Sequence, residues 1–298
     1  MKKFAQVIPL IMLILVGCGR SPDFHAQNVV TTATSELTYM PTLNVSQTPT
    51  STVSPTNTAI VLPTLDEREK EEYILSQLVD NGGCDLPCWW GITPGKSLWS
   101  DVSVYFADLG FKSSQRQDTS KFDMGGFALF SIKTYTRVAY HVESNVIQNI
   151  SISVGGSLEP ENFQNVYKYY SPDEILTNYG QPSRILLEIP SYGYGDRVAY
   201  GFSLFYDHLG FLIFYSGVAQ RSDPVRICPS FVYDHLIGGM NLYLQSPGNS
   251  SSLEALSGGV VRGKTIEEAT GKSVSEYYYE FRSNPANLCF TTSASLWP

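Results

Sequence analysis

Cysteines, histidines and clustered aromatic residues are the side chains from which this 298-residue chain could build chemistry. The sharpest spacing is Cys84-Asp85-Leu86-Pro87-Cys88-Trp89-Trp90-Gly91. Two cysteines four apart across a proline suit metal ligation, thiol exchange or a closed disulfide ring. Zinc wants a third and fourth ligand at short spacing, and none stands nearby. A thioredoxin-like pair has two intervening residues rather than three and begins a helix inside a βαβ unit. The structural disulfide is therefore the expected form. Trp89 and Trp90 follow at once, either as a hydrophobic plug beside the ring or as a candidate binding pair.

The four histidines are His25, His141, His208 and His235. His208 and His235 each follow an aspartate in Tyr-Asp-His-Leu, but residues adjacent in a strand point to opposite faces, so Asp207 and His208 need not touch. No Gly-x-Ser-x-Gly elbow, phosphate loop, His-Glu-x-x-His or glycine-rich dinucleotide motif is present. Neither a catalytic residue, a metal site nor a cofactor is expected. Paired carboxylates for sugar hydrolysis stay open, because they have no fixed spacing in sequence.

Aromatic residues are abundant: 19 Tyr and 15 Phe. They cluster as Tyr167-Lys168-Tyr169-Tyr170, Tyr192-Gly193-Tyr194-Gly195 and Tyr277-Tyr278-Tyr279. Tyrosine combines an apolar ring with a polar tip, which suits both half-buried strands and contact surfaces. Tyr192 and Tyr194 are the candidate binding residues of a loop or sheet face that would take a glycan or another envelope protein.

The elements that must position these residues follow from periodicity and capping. Asp66-Glu67-Arg68-Glu69 opens an acidic first turn, and Ile74, Leu75, Leu78 and Val79 recur at helical spacing until Gly82-Gly83. Ser97 is expected to cap a helix with Leu98, Val102, Tyr105, Phe106 and Leu109 on its apolar face. Strands are expected at Phe127 to Ile132, Thr136 to Val142 and Val146 to Val154, with Glu143-Ser144-Asn145 as a turn. The same order returns from Ser171-Pro172-Asp173-Glu174, a capping box with proline in the first turn. Strands follow at Ile185 to Ile189, Val198 to Tyr206 and Phe211 to Tyr215, with Asp207-His208-Leu209-Gly210 as a hairpin turn. Beyond them Thr265-Ile266-Glu267-Glu268 and Ser273-Val274-Ser275-Glu276 predict two short helices, the second burying Tyr277 and Phe281. The expected class is α+β: short helices packed on antiparallel β-meanders, in two repeated helix-plus-sheet units and an irregular C-terminal portion. The two sheets would stack or join, and the portions divide as 66–157, 158–221 and 222–298.

The amino terminus predicts where this domain goes. Lys2 and Lys3 precede an apolar run from Val7 to Val16, too short for the roughly twenty residues that span a bilayer. Leu15-Val16-Gly17-Cys18 resembles the lipobox of bacterial lipoproteins. That resemblance implies cleavage of a signal peptide over 1–17 and acylation of Cys18. With Cys18 so used, four cysteines remain in an oxidising compartment. Four allow three pairings, of which the simplest joins Cys84 to Cys88 and Cys228 to Cys289.

Residues 18–65 are rich in Thr, Ser and Pro and carry almost no charge beyond Arg20, Asp23 and Glu36. They read as a disordered stalk, roughly 40 Å long as a flexible coil and about 140 Å as a polyproline-like one. Loss of Lys2 and Lys3 takes the formal charge from −8 to −10. So acidic a chain repels phosphates, which argues against nucleic acid as a partner.

Two segments, Gly91-Ile92-Thr93-Pro94-Gly95 through Leu109-Gly110 and Tyr170-Ser171-Pro172-Asp173-Glu174 through Tyr179-Gly180-Gln181-Pro182, resemble the helix entries of BamE-like lipoproteins. Those are small envelope proteins whose helix–helix–β-meander fold is shared with β-lactamase-inhibitor-like repeats. The cysteines, the stalk and the third portion depart from that pattern. Lipobox, stalk and Cys-Asp-Leu-Pro-Cys-Trp-Trp together are also similar to uncharacterised bacterial lipoproteins, a resemblance that carries no function. The expectation is an exported lipoprotein, held by its lipid on the outer face of the cytoplasmic membrane or on the outer membrane. Its domain would bind or scaffold without catalysis; the alternative is a glycan-directed envelope hydrolase using acidic residues.

Overall fold

The computed structural model describes residues 65–111, 114–115, 121–129, 134–155, 160–191, 193–230, 239–249, 252–285 and 287–298. All lie in the unit Asn57–Pro298. The expected signal segment, Cys18, the expected stalk through Thr64 and Tyr192 lie outside them.

Asp66 and Glu69 exchange bonds, each carboxylate accepting the other's backbone N–H at 2.8 Å, and this capping box opens helix α1, Glu67–Asp80. Ile74 and Leu78, one turn apart, are its buried residues. Helix α2, Trp99–Asp108, buries Val102, Tyr105 and Phe106. Its entry corrects the expected cap: Leu98 is the N-cap, and the Ser97 hydroxyl accepts instead from the Thr93 amide at 2.9 Å. The free N–H groups of the first turn are met from outside, with Trp99 donating to the Asn145 carbonyl at 2.8 Å and Ser100 to the Asn145 side chain at 3.0 Å.

Asn145 belongs to the turn of a meander built from β1 (Ser114–Gln115), β2 (Lys121–Leu129), β3 (Thr134–Glu143) and β4 (Val146–Gly155). Ser144 and Asn145 take φ of 49° and 65°, the two positive values of a type I′ hairpin. On β3 the residues Thr134, Thr136, Val138, Tyr140 and Val142 are buried and their neighbours are not, as in a strand with one covered face.

The second unit begins with α3 (Pro160–Val166) and α4 (Pro172–Tyr179). The Ser171 hydroxyl accepts from the Glu174 amide at 3.4 Å, but the other half of the expected capping box is not formed. The Ser171 amide donates to the Lys168 carbonyl, and the Glu174 carboxylate pairs with the Lys168 ammonium at 3.3 Å. Strands β5 (Arg184–Glu188), β6 (Gly193–Tyr194), β7 (Arg197–Tyr206) and β8 (Phe211–Gln220) follow, all paired antiparallel. Every residue of β7 after Arg197 is buried, so this strand is covered on both faces.

In the third portion β9 (Val225–Ile227) is followed by β10 (Gly239–Gln245), α5 (Leu253–Leu256) and β11 (Lys264–Thr265). Helices α6 (Ile266–Thr270) and α7 (Val274–Ser283) then open on the two expected capping boxes, and β12 (Phe290–Thr292) pairs with β9. Strand β10 corrects the reading of this portion as an irregular tail. It lies between β4 and β8, with Leu242 facing Ile152 on one side and Ile213 on the other. The meanders are thus joined into one sheet in the order β1-β2-β3-β4-β10-β8-β7-β5-β11, with β6 paired to β7.

One face of this sheet holds the main core, from Trp89 and Phe106 through Ile150 and Leu204 to Tyr277 and Phe281. The other face of its second half carries a smaller core of Leu186, Phe205, Leu212, Tyr243, Leu253 and Val261. Among the described residues no helix is long and apolar enough to cross a membrane.

Candidate functional site

Cys84 joins Cys88 and Cys228 joins Cys289, so the described cysteines form the two bonds of the simplest pairing. Asn81, fully buried at the end of α1, sits beneath the smaller ring. Its left-handed backbone, φ 58°, turns the amide inward. That amide nitrogen donates to the carbonyls of Cys84 at 2.6 Å and Cys88 at 2.8 Å, while its oxygen accepts from the Tyr170 hydroxyl at 2.8 Å. Tyr179 accepts from the Leu86 amide at 2.9 Å and shares a 2.6 Å bond with Tyr169. Burial pushes the hydroxyls of Tyr169, Tyr170 and Tyr179 above the usual tyrosine range, which keeps them neutral as hydrogen-bonding groups.

Trp89 and Trp90 stack on each other with ring centres 4.2 Å apart, and Trp89 stacks on Phe106 at 6.3 Å. They are 1% and 5% exposed, so neither ring offers a face to a ligand. This corrects their place among the candidate binding residues: the segment is the hydrophobic plug.

Asp207 and His208 form no dyad. The Asp207 carboxylate accepts from Ser183 at 2.6 Å and from Arg184 at 3.2 and 3.3 Å. Partial desolvation raises its affinity for a proton, and the Arg184 and Ser183 hydrogen bonds outweigh it, leaving the carboxyl below its ordinary range. His141 contacts Asn149 at 3.2 Å and Glu143 at 3.5 Å, and His25 and His235 lie outside the described residues. Among the described residues no three His, Cys, Asp or Glu side chains are grouped to hold a metal ion.

An open surface groove runs along α7. Tyr277 and Phe281, four residues apart, bury one stripe of the helix. Ser275, Tyr278, Tyr279 and Arg282, at i, i+3, i+4 and i+7, share a second stripe, and it lines an open groove of about 600 Å³. Gln181, just after α4, lines the groove too, and its side-chain amide donates to the Ser275 hydroxyl at 3.0 Å. Tyr279 is 74% exposed.

The ionic side chains of the groove are mostly committed. Lys272 donates to both oxygens of Glu280, at 2.7 and 2.6 Å. Glu276 accepts from the Ser273 amide at 2.7 Å and hydroxyl at 2.8 Å, and these bonds hold its carboxyl below the ordinary glutamate range. Arg282, exposed, makes no ion pair among the described residues.

No family model, curated protein or solved structure matches this chain. The groove is therefore interpreted from its own residues. It offers an exposed aromatic ring, a guanidinium in no ion pair among the described residues and an amide–hydroxyl pair, beside a Glu276 carboxyl held below its ordinary range. Of the tyrosines expected to bind, Tyr194 lies in β6, with Tyr194 opposite Arg197 of β7, and Tyr192 is outside the described residues. Tyr279 belongs to the Tyr277-Tyr278-Tyr279 cluster, but neither it nor Arg282 is among the residues expected from sequence to bind. The signal was there, because a helix that buries Tyr277 and Phe281 must turn residues 279 and 282 away from the core.

Proposed function

We propose that this chain is an exported lipoprotein, anchored through Cys18 and lifted on its Thr/Ser/Pro stalk, whose folded domain binds an envelope component through the α7 groove. The observation that carries this reading is an exposed Tyr279 and an Arg282 in no ion pair among the described residues, on one stripe of a groove whose carboxylates are already bonded. A glycan hydrolase needs one protonated and one ionised carboxyl flanking the scissile bond. Here Glu276 is committed to a helix cap and Glu280 to Lys272, which leaves recognition rather than turnover. The amino-terminal pattern supports the address, since several acyl chains hold a protein to a bilayer far better than one.

Two assays test it. Replacing Cys18→Ser is expected to move the protein from the membrane to the soluble fraction; membrane retention after a salt wash, with the precursor uncut, would mean another kind of anchor. The released protein is then sedimented with isolated envelopes. It should co-sediment, lose that property on Tyr279→Ala, and liberate no reducing sugar ends. Reducing ends that vanish with Glu280→Gln would establish the hydrolase instead.

A further inference from the structure

The groove restricts what its ligand can be, and the ligand class rests on the binding reading above. Tyr279 and Arg282 lie three residues apart on one helix, and Tyr278 and Arg282 four apart, spacings that place side chains about 5–6 Å apart at Cβ. The exposed ring of Tyr279 can pack against an apolar face. Arg282 projects from the same stripe with donors in a planar fork, which matches a carboxylate two bonds at a time.

Lys272 does not compete for such an anion, because Glu280 occupies it through both oxygens. Gln181 and Ser275 satisfy one bond between them, and the remaining amide donor and the carbonyl oxygen of Gln181 are open to hydroxyl or amide groups of a ligand. The α7 backbone is bonded within its own helix, so the groove offers no strand edge to which an extended peptide could add. Recognition by side chains alone suits a ligand with an apolar face and a polar perimeter. A pyranose ring is such a ligand: its C–H face packs on an aromatic ring while its hydroxyls point outward. The volume of about 600 Å³ lies within the range of small-ligand sites.

We infer that the α7 groove binds a saccharide bearing a carboxylate, with the sugar ring on Tyr279 and the carboxylate on Arg282. The acidic chain repels anions in general, so this guanidinium confers a local selectivity rather than a broad attraction.

The test is calorimetric titration of the full-length protein in detergent with two disaccharides, N-acetylglucosaminyl-N-acetylmuramic acid and its neutral counterpart N,N′-diacetylchitobiose. The acidic sugar should bind about tenfold more tightly, the size of one charge-assisted hydrogen-bonded pair. Arg282→Gln should bring the two affinities within about twofold, and Tyr279→Ala should weaken both about tenfold. Equal binding of the two sugars by the unaltered protein, a preference that survives Arg282→Gln, or binding of neither would overturn the inference. So would an acidic peptide that binds the groove in preference to both. The sedimentation assay with Tyr279→Ala judges the binding reading separately, so either can fail without the other.

Discussion

Trp89-Trp90 and Tyr278-Tyr279 are both adjacent aromatic pairs, and the backbone sends them in opposite directions. At Trp90 the chain turns through φ 54° and at Gly91 through 80°. Trp89 and Ile92 exchange both backbone bonds at 2.9 Å across this turn. The tight turn brings two neighbouring rings to the same side, where they stack and are buried. In α7 successive residues are about 100° apart around the axis, so the same adjacency spreads Tyr277, Tyr278 and Tyr279 from core to solvent. Polar atoms follow the same division. Around the plug Asn81, Tyr169, Tyr170 and Tyr179 are bonded to one another or to the ring, whereas around the groove Arg282 is exposed and makes no ion pair among the described residues. Aromatic content alone separates nothing here; backbone geometry does.

The largest effect expected from this contrast is on stability at the plug. Trp89→Ala should cost about 3–5 kcal/mol in denaturant unfolding, while Tyr279→Ala should stay within about 0.5 kcal/mol of the parent. A mild Trp89→Ala would mean that the plug is not packed as described. Next come the disulfides. The Cys228–Cys289 bond closes a loop of 61 residues in sequence separation, and the loop-entropy relation assigns it about 4 kcal/mol. The Cys84–Cys88 ring has a separation of 4, for which the same relation gives about 2 kcal/mol or less. Asn81 and Tyr179 already hold that ring's backbone, so replacing both of its cysteines by serine should lower the thermal midpoint less than doing so to Cys228 and Cys289. The reverse order would show that the small ring, not its hydrogen bonds, maintains the plug.

Smaller again is Asn81→Ala, which removes the Asn81 bonds to the Cys84 and Cys88 carbonyls and to the Tyr170 hydroxyl, while the Cys84 carbonyl keeps the Tyr169 hydroxyl at 3.3 Å. About 2–3 kcal/mol is expected, against about 1 kcal/mol for Tyr179→Phe, and urea titration of the two variants ranks them. Equal losses would place the weight of the knot on the tyrosines rather than on Asn81.

Much of this arrangement is legible in sequence where interactions are local. The Asp66, Thr265 and Ser273 capping boxes, the Ser144-Asn145 turn and the alternation of Ile150, Ile152 and Val154 all concern residues within a few positions of each other, and the structure forms them. The apolar run of β7, broken only by Gly201 and Ser203, marks a strand covered on both faces, although what covers it lies about fifty residues further on in α5 and Val261. Non-local effects were not legible. Met240, Leu242 and Leu244 alternate as a strand should, but nothing near them says that β10 inserts between β4 and β8. Ser97 has the right side chain for a cap and loses that role because Asn145, from a distant hairpin, meets the first-turn donors. For the groove the helix phase was readable from Tyr277 and Phe281, while the approach of Gln181 to Ser275, 94 residues away, was not.

The proposal that binding lies in the α7 groove is tested most directly by photocrosslinking. A benzoylphenylalanine replaces Tyr279 in one protein and Val104, a comparably exposed residue of α2 at 58%, in another. Each is irradiated with isolated envelopes under identical conditions. Crosslinked envelope material from position 279 and none from 104 is the predicted result. Equal crosslinking from both positions, or crosslinking from 104 alone, would contradict the assignment of binding to the α7 groove.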